Sequence, residues 1–491
     1  MIPQEKVKIR KLPSGVVGLD EILGGGIPEF SFNIIAGSPG CGKTTLAHQF
    51  AFANATPEHP ALYFTVLGEP SIKMLRYQQQ YSFFELAKLN TSVRFINLSE
   101  TLVDRGLEGV LEQIAQEVAL ASPAIVIVDS FRTVIRRALE REMEIQVFVQ
   151  NLGLLLTSWE ATTFLIGEYA ESELRDNPVF TVADGLFWLY QVVERNSVVR
   201  KIQIMKLRGQ TSVPGLHTFR ITGDGIQAFS RTLGLTAKSR KSRTNRRLSS
   251  GVPVLDAMLG GGYIEGDSVL VTGASGTGKS LLATQFISEG LRNGEPGIVA
   301  LFEERPDDYI QRAASFGLDL SAQATANLST IYLRPLDLSV DESMQEILDA
   351  VAKTGARRLV IDSLAGFEMA LSPGFRADFR ESLYRMIFSL TGRGVTILST
   401  VETPESGTDI RFSSYAISFL TDDIIRMRYI EVEGQMRKVI TVVKMRRGNH
   451  SKEIREYEIS PDGIVIGECL SHYDQLTTGT PKHTTRPKLG S

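Results

Sequence analysis

The feature that most constrains this chain is that it repeats itself. Ser14-Gly15-Val16, Leu19-Asp20 and Gly24-Gly25-Gly26 return as Ser250-Gly251-Val252, Leu255-Asp256 and Gly260-Gly261-Gly262. Lys43 and Lys279 are separated by the same interval as Asp20 and Asp256, about 236 residues, the kind of fixed period that marks a duplication. Asp129 with Asp362, and Lys206-Leu207-Arg208 with Lys444-Met445-Arg446, keep close to that spacing. At 491 residues the chain is too long for one ordinary hydrophobic core, so each copy is expected to be a domain. The copies are placed at residues 1–230 and 248–468. Between them, 231–247 holds seven basic residues and no acidic one, which reads as an exposed linker. Residues 469–491 lose hydrophobic period and read as a mobile tail.

Short apolar runs alternate with helical patterns in both copies, the signature of an α/β fold with a mostly parallel sheet flanked by helices. Ser31–Ala36 is expected to be a strand and Thr44–Ala53 a helix, with a glycine-rich loop between them. Ser268–Thr272 and a helix from Lys279 to about Asn293-Gly294 repeat that order. The two loops fit G-x-x-x-x-G-K-[ST]. One is Gly37, Ser38, Pro39, Gly40, Cys41, Gly42, Lys43 and Thr44; the other is Gly273, Ala274, Ser275, Gly276, Thr277, Gly278, Lys279 and Ser280. Backbone N–H groups converging at a helix N-terminus favour a phosphate. Lys43 and Lys279 are expected to reach the β- and γ-phosphates of ATP, with Thr44 and Ser280 offering hydroxyls to Mg²⁺. Thr45 and Leu281 close the two runs of candidate ATP contacts. Downstream, Ala124–Ser130 and Leu359–Ser363 read as buried strands ending in Asp129 and Asp362, carboxylates placed to support the metal.

The remaining composition narrows the alternatives. Hydrophobic residues at 43% and charged residues at 22% suit a globular protein. A net charge of -3 gives no global pull toward nucleic acid or an anionic membrane. Cys41 and Cys469 build neither a disulfide framework nor a zinc site, and the N-terminus lacks an apolar leader, so the cytoplasm is the expected compartment. The greasiest stretch, Val147–Gly167, is broken by Gln150, Asn151 and Glu160 and is not expected to span a membrane.

Taken together, the double phosphate loop, SSGVPVLDAMLGGG at the head of the second copy and the segment Thr421–Ser460 resemble the circadian clock KaiC family of RecA/DnaB-type ATPases. The resemblance covers about residues 8–230 and 245–468. It implies two tandem RecA-like P-loop NTPase domains, a homohexameric double ring with ATP at subunit interfaces, slow ATPase activity and serine/threonine autokinase activity in the second domain. It also implies Glu303 as catalytic base with Glu304 as its support, and Lys206, Arg208, Lys444 and Arg446 as cations reaching the neighbour's ATP. Residues two apart on a strand share a face, which suits that task.

The resemblance has gaps. In the first copy Leu67 and Gly68 stand where the family has its acidic pair, with Glu69 one position late, so hydrolysis there is expected to be slow. Of the family's adjacent phosphoacceptors, Ser418 is retained and Phe419 replaces its neighbour, with Ser413, Ser414 and Thr421 as nearby hydroxyls. The tail only loosely matches the family's partner-binding segment. Two other classes of function compete: a DNA-acting RecA-type motor, and a nucleotide-gated scaffold for a KaiB-like partner. The first is disfavoured because the sequence shows no basic-aromatic strip to stack bases.

Overall fold

The computed structural model describes residues 9–66, 71–136, 142–158, 160–175, 177, 179–194, 197–231, 245–320, 327–333, 339–371, 379–403, 420–476 and 482–483. The chain divides into two compact units, Met1–Arg231 and Thr232–Ser491. Each is a nine-stranded sheet flanked by helices, and together they are the two tandem RecA-like domains expected from the sequence.

The strands of the first unit's large sheet are β1 (Phe32–Gly37), β2 (Ala61–Thr65), β3 (Val93–Asn97), β4 (Ile125–Asp129), β5 (Thr162–Glu168), β6 (Gly185–Glu194), β7 (Ser197–Leu207), β8 (Leu216–Thr222) and β9 (Gly225–Phe229). Their order across the sheet is β9-β8-β7-β6-β1-β5-β4-β2-β3. The strands from β6 to β3 in that order run parallel, and β7 to β9 are added antiparallel. The second unit repeats the pattern with β10 (Ser268–Gly273), β11 (Gly297–Leu301), β12 (Leu328–Tyr332), β13 (Arg358–Asp362), β14 (Thr396–Glu402), β15 (Asp423–Val432), β16 (Gln435–Met445), β17 (Arg455–Ser460) and β18 (Gly463–Cys469). Its order, β18-β17-β16-β15-β10-β14-β13-β11-β12, is the same arrangement.

The central strands are apolar at consecutive positions because helices cover both faces. On β1, Ile34 packs into one core with Val126 and Leu165, while Ile35 faces the other with Leu46 and Phe50. The helix Lys43–Asn54 is therefore buried along most of its length, and Phe50 meets Phe164 and Phe187 at ring distances of 4.8 and 6.0 Å. This packing fixes where the helix begins, and so fixes the loop before it.

Two expectations are corrected. Arg246 and Arg247, read as the end of an exposed linker, belong to the second unit. Arg247-Leu248 pairs with Tyr263-Ile264, and the Arg247 guanidinium donates to the carbonyls of Leu259 and Gly262. The start of the tail is not loose either. Leu476 is buried in a small cluster with Ile430, Val432 and Val439, and Tyr473-Asp474 pairs with Lys482-His483. Period alone missed this because the apolar residues there are few and widely spaced. Among the described residues no helix is long and apolar enough to cross a membrane.

One buried group makes stability depend on pH. Asp423, at the start of β15, is fully buried, and neither carboxylate oxygen has a hydrogen-bond partner among the described residues. Burial, with the charges of Asp267 and Asp422 adding to it, pushes its carboxyl up to about 7, against the opposing pull of Arg447 and Arg247. The folded chain thus keeps a proton that the unfolded chain has already released, and stability falls as pH rises from the usual aspartate range through about 7. Asp423→Asn removes the ionisation. It is expected to stabilise the second unit by roughly 1–3 kcal/mol at about pH 8.5, with the gain shrinking toward about pH 5, read from thermal melts.

Candidate functional site

Each phosphate loop joins the end of a central strand to the start of a buried helix. Gly42 and Gly278, immediately before the helices, have φ of 101° and 95°, a region L side chains avoid. Gly37 and Gly273 open the loops against the adjacent strand: a Cβ would come within 2.1 Å of the Leu189 carbonyl in one case and of the Met427 carbonyl in the other. The same glycine resolves the same collision in both copies.

The loop lysines fold over their own loops. Lys43 Nζ donates to the carbonyls of Ser38 and Gly37 at 2.7 and 3.1 Å, and Lys279 Nζ to that of Ala274 at 2.7 Å. Burial lowers the Lys279 pKa, while Glu402 and Asp362 pull it back up. The residue after each lysine meets the carboxylate that closes the next parallel strand but one. Thr44 Oγ1 donates to Asp129 at 2.9 Å, and Ser280 Oγ to Asp362 at 3.1 Å. In both copies the peptide bond after the aspartate is cis.

The two aspartates are held by different neighbours. Asp129 also accepts from the buried Tyr63 hydroxyl at 2.7 Å. Burial raises its pKa; the Tyr63, Thr44 and Lys43 interactions oppose that rise, and the Glu168 charge adds to it. Asp362 instead accepts from Thr400 Oγ1 at 2.5 Å. Hydroxyl and carboxylate oxygens suit a hard divalent cation that keeps most of its water and phosphate ligands, so the donor set fits Mg²⁺. Among the described residues no group of three His, Cys, Asp or Glu side chains is placed to hold a metal by itself.

In the second unit these groups line one cleft of about 570 Å³, shared by Lys279, Ser280, Asp362, Thr400, Glu402, Glu303 and Glu304. The acidic pair follows β11, just before a helix that starts at Pro306. Its members are distinct. Glu304 is gripped by Arg312, with Nε to Oε1 at 3.0 Å and Nη2 to Oε2 at 2.9 Å. Glu303 is exposed and accepts one bond, from Ser363 Oγ at 2.9 Å. The counterpart positions Leu67, Gly68 and Glu69 lie outside the described residues, as does Ser418.

The Lys-x-Arg pairs need a correction. They do not share a strand face, because β7 ends at Leu207 and β16 at Met445, leaving Arg208 and Arg446 in the turns beyond. The anchoring is nevertheless the same in both copies. Lys206 Nζ donates to the Thr181 carbonyl at 3.3 Å and Arg208 pairs with Asp184 at 3.0 Å. Lys444 Nζ donates to the Thr421 carbonyl at 2.6 Å and Arg446 approaches Asp422 at 3.9 Å. Burial and the adjacent arginine lower both lysine pKa values.

Sequence reasoning missed Tyr63, Arg312, Ser363, Thr400 and Glu402. Some left a trace. Tyr63 puts a hydroxyl into the middle of a mostly apolar strand, and Ser363 directly follows the strand-ending aspartate. Thr400, Glu402 and Arg312 reach the cleft through tertiary packing that no local pattern announces.

Comparison with known proteins agrees with this architecture. A family model described as "ATPase: KaiC" matches residues 12–232 and again 248–471. The circadian clock oscillator protein KaiC of Rippkaea orientalis is 31% identical over 492 residues, spanning 97% of this chain and 92% of that one. The KaiC 1 protein of Synechocystis is 30% identical over 488 residues, covering 96% and 92%. KaiC of Prochlorococcus marinus MIT 9313 is 29% identical, covering 98% and 97%.

Proposed function

The chain belongs to the KaiC family of ATPases, and from that premise we propose that it binds Mg-ATP at both phosphate loops and hydrolyses it chiefly at the second. The observation that carries this reading is the convergence of Lys279, the Ser280–Asp362 pair and Glu303 on one cleft. The loop amides and Lys279 bind and orient the triphosphate. Thr44 with Asp129, and Ser280 with Asp362, would hold Mg²⁺, which when bound neutralises charge on the phosphate oxygens. Glu303 takes a proton from water as its oxygen bonds to the γ-phosphorus and the bond to the β-phosphate oxygen breaks, giving ADP and phosphate. Ser363 holds the Glu303 carboxylate by one oxygen, and the Arg312 grip keeps Glu304 in place beside it.

The proposal extends to assembly. Lys206, Arg208, Lys444 and Arg446 sit at strand ends with their charges partly exposed, where they would reach the ATP of a neighbouring copy in a homohexameric double ring. A KaiB-like partner and a cytoplasmic setting follow from the family reading. Transfer of phosphate to Ser418 is the second activity the reading allows.

Particle mass measured with and without Mg-ATP, alongside γ-phosphate release, tests the proposal. The expected result is a ring-sized particle with nucleotide and turnover that rises with assembly. Label retained on the chain at Ser418 would add autokinase activity. A monomer under every condition would remove the shared-site mechanism.

A further inference from the structure

The carboxyl edge of the first sheet carries an arginine at a position where the second copy has alanine. In the parallel ladder Gly37 lies beside Glu168 and Asp129 beside Ile166, so the end of β5 stands between the phosphate loop and the metal-side carboxylate. Arg132, in the short helix Phe131–Arg136, reaches that end. Its Nη1 donates to the Glu168 carbonyl, and its two terminal nitrogens hold Glu173 at 3.0 and 2.9 Å. The guanidinium carbon stands 5.1 Å from the centre of the Tyr169 ring. Counted from the strand-ending aspartate, the matching residue of the second copy is Ala365, which lines the cleft with Lys279 and Glu303.

We propose that Arg132 is the cation that recognises the terminal phosphate in the first site, supplied from within the same chain, so that this site prefers ATP to ADP. The proposal rests on the reading of Gly37–Thr44 as a nucleotide loop. Arg132 is held at a fixed angle by a carboxylate and an aromatic face, so little freedom is lost when it meets an anion. Its recorded bonds use three of the five guanidinium N–H donors. The side chain keeps 30% of its surface exposed. The charges along this edge favour such a group. Glu168, beside Gly37 in the ladder, ends the strand that runs between the loop and Asp129, where its negative charge would repel a terminal phosphate. In the second unit Glu402 ends the corresponding strand with alanine at the matching position, and the further guanidinium in that cleft, Arg312, comes from a different helix and is held by Glu304. With Leu67 and Gly68 in place of the acidic pair, an arginine here favours retention of ATP over turnover.

The test uses the full chain with the second loop silenced by Lys279→Ala, and compares Mg-ATP with Mg-ADP affinity before and after Arg132→Ala. ATP affinity is expected to fall about 10–100-fold and ADP affinity to change less than about 3-fold, with Arg132→Lys recovering only part of the loss because the fork is gone. If leaving Glu173 unpaired harms folding, Arg132→Ala combined with Glu173→Ala reads the same ratio. Equal weakening of both nucleotides, or no change in either, overturns the proposal and makes Arg132 a packing residue. Absence of any nucleotide binding while Arg132 is intact would overturn the loop reading itself, and the proposal with it.

Discussion

Glu303→Gln is expected to lower turnover at the second site by about 10²–10⁴-fold while Mg-ATP affinity stays within a few-fold. The amide keeps the shape of the side chain and can still accept from Ser363, so the cleft is preserved. What it loses is the ability to take a proton from water. The measurement belongs in a Lys43→Ala background, so that turnover at the first loop does not mask the loss. Glu304→Gln should behave differently. Glu304 is already committed to Arg312 through two short bonds, so its loss disturbs position rather than proton transfer. A smaller fall in turnover, accompanied by a changed affinity, is the expected pattern. Equal and severe losses from both variants would mean that the carboxylates act as one unit and that the division of labour drawn here is wrong.

The second large effect concerns the cations beyond β7 and β16. Arg446→Ala is expected to reduce second-site turnover by about 10³–10⁵-fold if the arginine stabilises transition-state charge from a neighbouring copy. Mixing separates neighbour from self. Lys279→Ala chains have a disabled second loop but intact Lys444 and Arg446, so adding them to Arg446→Ala chains should restore turnover. No restoration, with mixed particles verified by mass, would place Arg446 in its own chain's site or in structure alone. The resting contacts suit a group that can be recruited. Arg446 is about half exposed, and its pair with Asp422 is 3.9 Å long, the kind of partly exposed pair that contributes little by itself.

The legible parts of this protein are those encoded by local rules. The phosphate loops could be read directly because glycines with positive φ, a lysine and a hydroxyl must occur at fixed spacing between a strand and a helix. The strands ending in Asp129 and Asp362 were readable because strands covered on both faces are continuously apolar. The repeat itself predicted that one topology would occur twice, and the strand order is the same in both units. Period-two reasoning failed at the Lys-x-Arg pairs, because it cannot tell where a strand stops; the ladders end one residue before each arginine. Charge misled at Arg247, read as linker, and lost hydrophobic period misled at Leu476; in both places single residues find partners elsewhere in the chain. The groups that distinguish the two sites were the least visible. Tyr63 steadies Asp129 while Thr400 steadies Asp362, and Arg132 stands on the end of β5 where the second copy has Ala365 at the matching position. Each choice is made by packing across the sheet, and apart from the hydroxyl that Tyr63 puts into its strand, the chain read in one dimension does not announce it.

The central claim is that two separate loops each capture a nucleotide, and counting bound nucleotide by equilibrium dialysis tests it most directly. The unmodified chain should bind Mg-ATP at two loci, Lys43→Ala and Lys279→Ala should each lose one of them, and the double variant should lose both. A double variant that still binds at full stoichiometry and affinity would contradict the account.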